Sequence, residues 1–202
     1  MKAQLKTRFD ENLARVKNLT NIYENKLAPA DQGRKPVSST DILRAAVVFL
    51  HATVEEFLRG ILDWRLPDQA EATLNAVPLI DSGTDRAEKF LLGRLVAHRG
   101  MTVDALIKKS VSASLTRSNF NSVAEIVSAI NSVGLNKAPC EPFFPDLTDL
   151  MERRHQIVHR ADRNEQAGQG NHKACSIGRH HVHGWTQAAE GFFNAVYAQL
   201  PD

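Results

Sequence analysis

The residues best suited to carry chemistry lie close together in segment 152–162. Arg154 is followed directly by His155 and, one helical turn later, by His159. Cleavage of RNA without a metal needs a base that takes the proton of a ribose 2′-hydroxyl, an acid that protonates the leaving oxygen, and positive charge at the phosphate. Imidazoles transfer protons near neutral pH, and guanidinium groups bind phosphate. These three residues therefore predict a site that cleaves RNA.

The place of Arg154 on the predicted helix is unusual. At about 100° per residue, Arg154 falls at the centre of an apolar arc formed by Leu147, Leu150, Met151, Ile157, Val158 and Ala161. An arginine cannot lose its proton to escape a buried position, so it needs an anionic partner or an interface that water or a ligand reaches. We expect either a structural ion pair with Glu55 or Glu56, or a functional role.

Further charged residues surround this segment. On the helical wheel Asp162 falls close to His155, which adds a carboxylate to the same edge of the helix. Three arginines face only two acidic residues, Glu152 and Asp162, which predicts a local basic rim able to hold an RNA backbone. The arginines are Arg153, Arg160 and Arg163. Aromatic residues that would stack on bases are not evident nearby in the sequence.

The elements that must position these residues are predicted to be helices. Apolar residues recur at three- and four-residue steps, no useful period-two run appears, and no repeat is visible, so we predict an all-α bundle. The first helix ends near 28–29, a polar linker covers 30–38, and the second helix starts at 38–40 and ends before Pro67. Further predicted elements are a short helix at 69–77, a turn at 78–84, helices at 85–98, 102–115 and 122–133, a helix from Asp146, a loop at 163–173, and a last helix from Val182 to Leu200.

Length and composition are those of one ordinary domain. With 202 residues, 43% of them hydrophobic, the chain can bury a core, and we expect a single domain over residues 1–202. The 25 Lys and Arg nearly balance the 23 Asp and Glu, so RNA binding has to depend on a local patch. Only two cysteines, a charged amphipathic N-terminus and short apolar runs predict a cytoplasmic protein without membrane association. The sequence contains neither a phosphate-binding glycine loop nor a serine elbow, so it lacks the motifs of nucleotide-dependent dehydrogenases, kinases and serine hydrolases.

Segment 154–159, Arg-His-Gln-Ile-Val-His, resembles the Arg-x4-His signature of the HEPN superfamily. The wider ERRHQIVHRAD, together with the Glu55-Glu56-x-x-Arg59 helix, is similar to the HEPN group described as RiboL-PSP-HEPN-like. The resemblance implies a HEPN-like helical bundle with extra helices over most of the chain, and no cofactor. It also implies a homodimer in which the Arg and His of two protomers converge into one site.

The resemblance carries over residue roles by position. Arg154 would bind and stabilise the scissile phosphate, His159 would be the acid or base, and His155 would orient the site. Two interpretations fit Glu55, Glu56 and Arg59 about equally well: an ion pair that supports the site, or a solvated helix face. The product would be a 2′,3′-cyclic phosphate end, and the chain would be an endoribonuclease acting as a toxin or defence effector, with RNA as its substrate and an antitoxin or neighbouring protein as a candidate partner.

Two other interpretations stay open. Many HEPN-like domains are non-catalytic modules that bind RNA, a nucleotide or a protein, and in such a module Arg154 would be structural. A third interpretation is a zinc-stabilised helical domain, since a late cluster could supply nitrogen and sulfur ligands, although its spacing matches no familiar zinc pattern. The cluster consists of His172, Cys175, His180, His181 and His183.

Overall fold

Seven α-helices and no strand are present in the described parts of the chain, residues 1–28, 36–80, 92–165 and 173–202 of a computed structural model. The one β-type contact there is an isolated bridge between Arg163 and Ala174. The prediction of an all-α fold is therefore confirmed. The helices are α1 (Lys2–Ile22), α2 (Val37–Arg65), α3 (Glu71–Leu74), α4 (Val103–Leu115), α5 (Val123–Ser132), α6 (Phe144–Arg160) and α7 (Arg179–Tyr197).

Helices α1, α2 and α7 meet around three phenylalanine rings. Phe9 of α1 stacks on Phe193 of α7 with ring centroids 4.0 Å apart, and it meets Phe57 of α2 edge-on at 5.7 Å. Phe57 and Phe193 are 4.6 Å apart. All three side chains are at most 2% exposed. Large aromatic surfaces contribute strongly to core stability, so this contact fixes α7 on the long α1–α2 pair.

Helix α6, which carries segment 154–159, packs against α2 and α7. Its first half is apolar toward the core, where Leu147, Leu150 and Met151 are buried. Pro145 lies in its first turn, where a missing N–H costs nothing. The helix ends at Arg160 because Ala161 (φ 48°) and Asp162 (φ 53°) take left-handed conformations that turn the chain away. Segment 154–159 therefore occupies the last two turns of α6.

Several predicted boundaries differ from the structure. The helix predicted over 85–98 is wrong where it can be seen, because Leu92–His98 forms a 3-10 helix, while residues 81–91 lie outside the described ranges. Only Glu71–Leu74 of the predicted helix 69–77 is α-helical. The connection before α6 contains a 3-10 helix, Ala138–Phe143, and a π-helical turn, Tyr23–Leu27, extends α1.

Other boundaries were predicted to within a few residues. Helix α5 begins after Ser122, whose side chain forms a capping box with Glu125. Helix α7 begins at Arg179, three residues before the predicted Val182. The predicted linker and loop fall partly on residues 29–35 and 166–172, outside the described ranges. Among the described helices, none has the length and apolar character needed to cross a lipid bilayer.

Gly191 provides a test of how α7 holds the start of α6. A Cβ added at Gly191 would overlap the Phe143 ring, whereas a Cβ at Gly184 of the same helix would meet open space. We expect Gly191→Ala to lower the free energy of unfolding by about 1–3 kcal/mol through overpacking. Gly184→Ala should raise it by about 0.5–1 kcal/mol through helix propensity. Equilibrium urea unfolding measures both, and stabilisation by both substitutions would contradict the packing described here.

Candidate functional site

Arg154 lies half-buried on α6, and no hydrogen bond or ion pair joins its guanidinium to another described residue. The predicted structural pair with Glu55 or Glu56 is not formed. Glu55 lies 3.9 Å from His51 Nδ1 and 3.8 Å from an Arg59 guanidinium nitrogen, whereas Glu56 lies 3.6 Å from Arg8 of α1. The positive charge of Arg154 is therefore not neutralised by the described part of this chain.

The two imidazoles predicted for the site come together. The rings of His155 and His159 are 4.7 Å apart and tilted by 44°, and both side chains are exposed at the end of α6. Arg154 and His159 are five residues apart, which places them about 140° apart around a helix axis. Within one protomer, the guanidinium and the His159 ring therefore face different sides of α6.

A buried polar network on α2 lies beside Arg154. His51 is 2% exposed, and its Nε2 lies 3.2 Å from the Phe120 carbonyl oxygen. Glu55 accepts the Phe120 N–H at 3.3 Å, and Arg59 donates to the Ser118 carbonyl at 2.8 Å. Burial lowers the pKa of His51; the Glu55 carboxylate opposes this effect, and the nearby charge of Arg154 adds to it. The network holds segment 118–120 against α2.

Asp162 joins the end of α6 to two other elements. Its side chain is 1% exposed, and its Oδ2 accepts the Nε–H of Arg44 at 2.6 Å and an N–H of Arg153 at 2.7 Å. Arg44 also donates to the Cys175 carbonyl at 2.7 Å, and the Cys175 N–H donates to the Asp162 carbonyl at 2.8 Å. The carboxylate thus connects α6 to α2 and to the segment before α7.

This contact corrects the position expected for Asp162. The helical wheel placed it beside His155, but α6 ends at Arg160, and the left-handed turn directs the carboxylate to Arg44 and Arg153 instead. Arg153 was predicted to contact RNA, but its guanidinium donates hydrogen bonds to Asp162 and to the carbonyls of Cys175 and Ser176. It is 13% exposed as a side chain, so its structural contacts dominate.

The other predicted supporting residues lie farther out. Arg160 is exposed and forms a 3.6 Å ion pair with Glu165, and Arg163 is exposed beside the bridge to Ala174. Glu56 binds Arg8 and so turns toward α1 rather than α6. Two exposed arginines, rather than the three predicted, therefore remain for a basic rim.

The late histidines do not come together as a metal site. His183 Nε2 lies 2.9 Å from Glu24 Oε1 in the π-helical turn after α1, while His181 Nδ1 accepts the Gly178 N–H at 3.3 Å. In the described part of the chain, no group of three or more His, Cys, Asp or Glu residues is arranged to hold a metal ion. His172, one of the five residues of this interpretation, lies outside that part.

Two residues near the site were missed from the sequence. Arg44 was overlooked although it interrupts the apolar stripe of α2 between Leu43 and Val47, the same signal that drew attention to Arg154. Trp185 lies within the predicted last helix and drew no attention there, but it lines a groove beside α6. Its neighbour in space, Gln156, lies within segment 154–159.

The end of α6 thus combines an uncompensated guanidinium with two adjoining exposed imidazoles. These groups can bind a phosphate and transfer protons. Phosphate binding and proton transfer are therefore both within the chemistry of Arg154, His155 and His159, the three residues that the sequence analysis selected. When the chain is compared with protein-family models, curated proteins and solved structures, no match is found.

Asp162 is expected to be one of the most sensitive positions in the fold. In Asp162→Ala, Arg153 loses its carboxylate partner and, among the described residues, Arg44 keeps only the exposed Asp41, at 3.2 Å, which should cost about 3–5 kcal/mol of unfolding free energy. The matched control is Glu165→Ala, whose ion pair with Arg160 is exposed and should contribute almost nothing. Urea unfolding of both variants measures the difference. Equal stabilities would show that the buried carboxylate does not hold these elements together.

The lowered pKa of His51 predicts a stability loss in acid. The folded state holds the ring neutral, whereas the unfolded chain protonates it with an ordinary pKa near 6.5. Its stabilisation is therefore complete above pH 6.5 and is lost as the pH falls through the lower folded pKa. We expect unfolding free energy to fall more steeply below pH 6.5 in the wild type than in His51→Gln. Parallel pH profiles of the two proteins would contradict this assignment.

Proposed function

We propose that this chain is a HEPN-type endoribonuclease that cleaves RNA without a metal ion and acts as a homodimer. The observation that carries the proposal is the charge of Arg154, which has no acidic partner in the described chain and lies on the same helix as the paired rings of His155 and His159. A phosphate is the anion that fits such a guanidinium, and imidazoles supply the proton transfers.

The proposed reaction uses these groups in fixed roles. One imidazole removes the proton from the 2′-hydroxyl, and the 2′-oxygen attacks the adjacent phosphorus. The bond from phosphorus to the 5′-oxygen then breaks as a protonated imidazole donates to that oxygen. Arg154 stabilises the negative charge on the phosphorane, His159 is the principal acid or base, and His155 orients it. The products are a 2′,3′-cyclic phosphate and a 5′-hydroxyl.

A composite site explains how Arg154 and His159 act together. Because they face different sides of α6 in one protomer, Arg154 of one subunit is proposed to face His159 of the other. Val158, which is 47% exposed, lies between them around the helix, and the half-buried Ile157 lies on the other side of Arg154; both offer apolar surface for such a contact. Exposed Arg160 and Arg163 would then border the site and contact the RNA backbone.

The cellular role follows from the same proposal. A cytoplasmic ribonuclease of this kind would act as a toxin or defence effector, and an antitoxin or neighbouring protein would restrain it. Growth arrest on expression that is relieved by His159→Ala would agree with this role. Equal toxicity of the wild type and the variant would separate toxicity from the proposed site.

A non-catalytic HEPN-like module is the second candidate. The half-buried position of Arg154 beside the His51 and Glu55 network favours it, because a guanidinium there acts electrostatically on the buried His51 ring and so has a structural effect of its own. In that case Arg154→Ala alters stability or binding, and there is no cleavage to lose.

The first test is cleavage of mixed cellular RNA in EDTA. Wild-type protein is expected to produce fragments with 2′,3′-cyclic phosphate ends, and Arg154→Ala and His159→Ala to lower the rate at least about a hundredfold each. Arg117→Ala, an exposed arginine outside α6, is the matched control and should cleave normally. No cleavage by folded wild type would favour the binding module.

Mixing the two inactive variants tests the composite site. Unfolding and refolding Arg154→Ala with His159→Ala lets mixed dimers form, each with one intact Arg–His pair. Such a mixture should recover up to about a quarter of wild-type activity, because half of the dimers carry one of two sites. If each variant is inactive and the mixture stays inactive while mixed dimers are demonstrated, the site lies within one protomer.

A further inference from the structure

A groove between α6 and α7 adjoins the candidate site. It has a volume of about 320 Å³ and is lined on one side by Glu152 and Gln156 of α6, and on the other by His181 and Trp185 of α7. Glu152 lies three and seven residues before His155 and His159, so these three side chains form one row along α6. A chain bound at the histidines can therefore enter the groove by moving one helical turn along α6.

The α7 side of the groove presents aromatic faces. The rings of His181 and Trp185 are 5.8 Å apart and nearly parallel, at 23°, and the His180 ring lies 4.0 Å from that of His181. The Gly178 N–H binds His181 Nδ1 and fixes the ring. Burial lowers the pKa of His181, with further contributions from His180 and Arg153, so this ring is neutral near pH 7. Flat, neutral rings are suited to stacking on a nucleobase.

The α6 side of the groove supplies hydrogen-bond acceptors. Asp149 and Glu152 line it, and no ion pair engages either carboxylate within the described chain. A carboxylate accepts hydrogen bonds only, so it selects a base edge that carries donors, such as an exocyclic amino group. Gln156 adds an amide that both donates and accepts. Arg153 also lines the groove, but its guanidinium is bound by the Asp162 carboxylate and by the Cys175 and Ser176 carbonyls. The two carboxylates without an ion pair would repel a phosphate, so this groove is suited to a base rather than to the RNA backbone.

We propose that the groove binds one unpaired base of the RNA substrate, stacked on Trp185 and His181 and held at its amino-bearing edge by Glu152 and Asp149. The inference rests on the proposed ribonuclease function and specifies its substrate, which is single-stranded RNA with adenine, cytosine or guanine next to the cleaved bond. Guanine fits best, since its neighbouring N1–H and N2–H2 donors match one carboxylate. Uracil has no exocyclic amino group and binds more weakly.

Trp185 itself reports the binding. The chain has two tryptophans, so Trp64→Phe leaves Trp185 as the single source of indole fluorescence. His159→Ala is added to prevent cleavage. Short uridine oligomers that carry one central G, A or C are titrated against an all-uridine oligomer. We expect saturable quenching of Trp185, and at least about fivefold tighter binding of the amino-bearing oligomers.

Substitutions at the groove separate its two functions. Trp185→Ala and His181→Ala should each weaken binding by about five- to a hundredfold, followed by anisotropy of a labelled oligomer, and Trp185→Phe should restore most of it. Glu152→Gln should reduce the preference over uridine. Because His181 is exposed, His181→Ala tests stacking even if Trp185→Ala unfolds. Unchanged binding in His181→Ala together with no Trp185 quenching overturns the proposal, as does equal affinity for the all-uridine oligomer.

The outcome for this groove can be told apart from that for the nuclease. If the wild type cleaves no RNA but oligomers still quench Trp185 in the Trp64→Phe variant, the proposed activity is wrong and the base-binding groove remains. If His159→Ala abolishes cleavage, substitutions at Trp185 and His181 leave cleavage unchanged, and oligomers do not quench Trp185, the base-binding groove is wrong and the nuclease proposal remains.

Discussion

The arrangement of this molecule depends on one buried carboxylate. Asp162 is 1% exposed and faces two guanidinium groups, from Arg44 and Arg153, through a single oxygen. Its other oxygen is buried and accepts no hydrogen bond from a described residue. A buried charge is tolerated only when it is paired and hydrogen-bonded, so Asp162 requires both arginines. Among the described residues Arg153 forms no other ion pair, and Arg44 has only the exposed Asp41 besides. Three segments distant in sequence are thereby forced to meet at the end of α6.

The same contact separates two adjacent arginines into different roles. Arg153 donates hydrogen bonds to Asp162 and to carbonyls of the segment before α7, so its role is to hold these elements together. Arg154 points to the other side of α6, where Glu55 is already engaged by His51, Arg59 and the Phe120 N–H. No carboxylate is left to neutralise it within the described chain. A cation without an ion pair in the described chain can bind an anion without first breaking such a pair.

Sequence reasoning succeeded where a regular helix determines the outcome. The apolar stripe of α6, the adjacency of His155 and His159, and the anomalous position of Arg154 all follow from a 3.6-residue period and are present in the structure. Prediction from the sequence failed where the regular helix of α6 ends. Asp162 was projected onto a helix that ends two residues earlier, because no feature of Ala161 or Asp162 signals two consecutive left-handed residues. The contacts of Arg44 and the aromatic side of the groove depend on distant packing, which periodicity does not encode.

The geometry of one protomer is also the reason that the proposed site is shared between two subunits. A helix separates residues five apart by about 140°, so bringing Arg154 and His159 of the same α6 to face one phosphate would favour a distortion of the helix. That distortion is opposed at both ends, because Leu147, Leu150 and Met151 are buried at the start and Asp162 anchors the finish. A second copy related by a two-fold axis resolves the conflict without moving either helix, since it brings the histidine face of one α6 to the arginine face of the other. The rigidity that the ion pair imparts to α6 is thus the reason to expect a shared site.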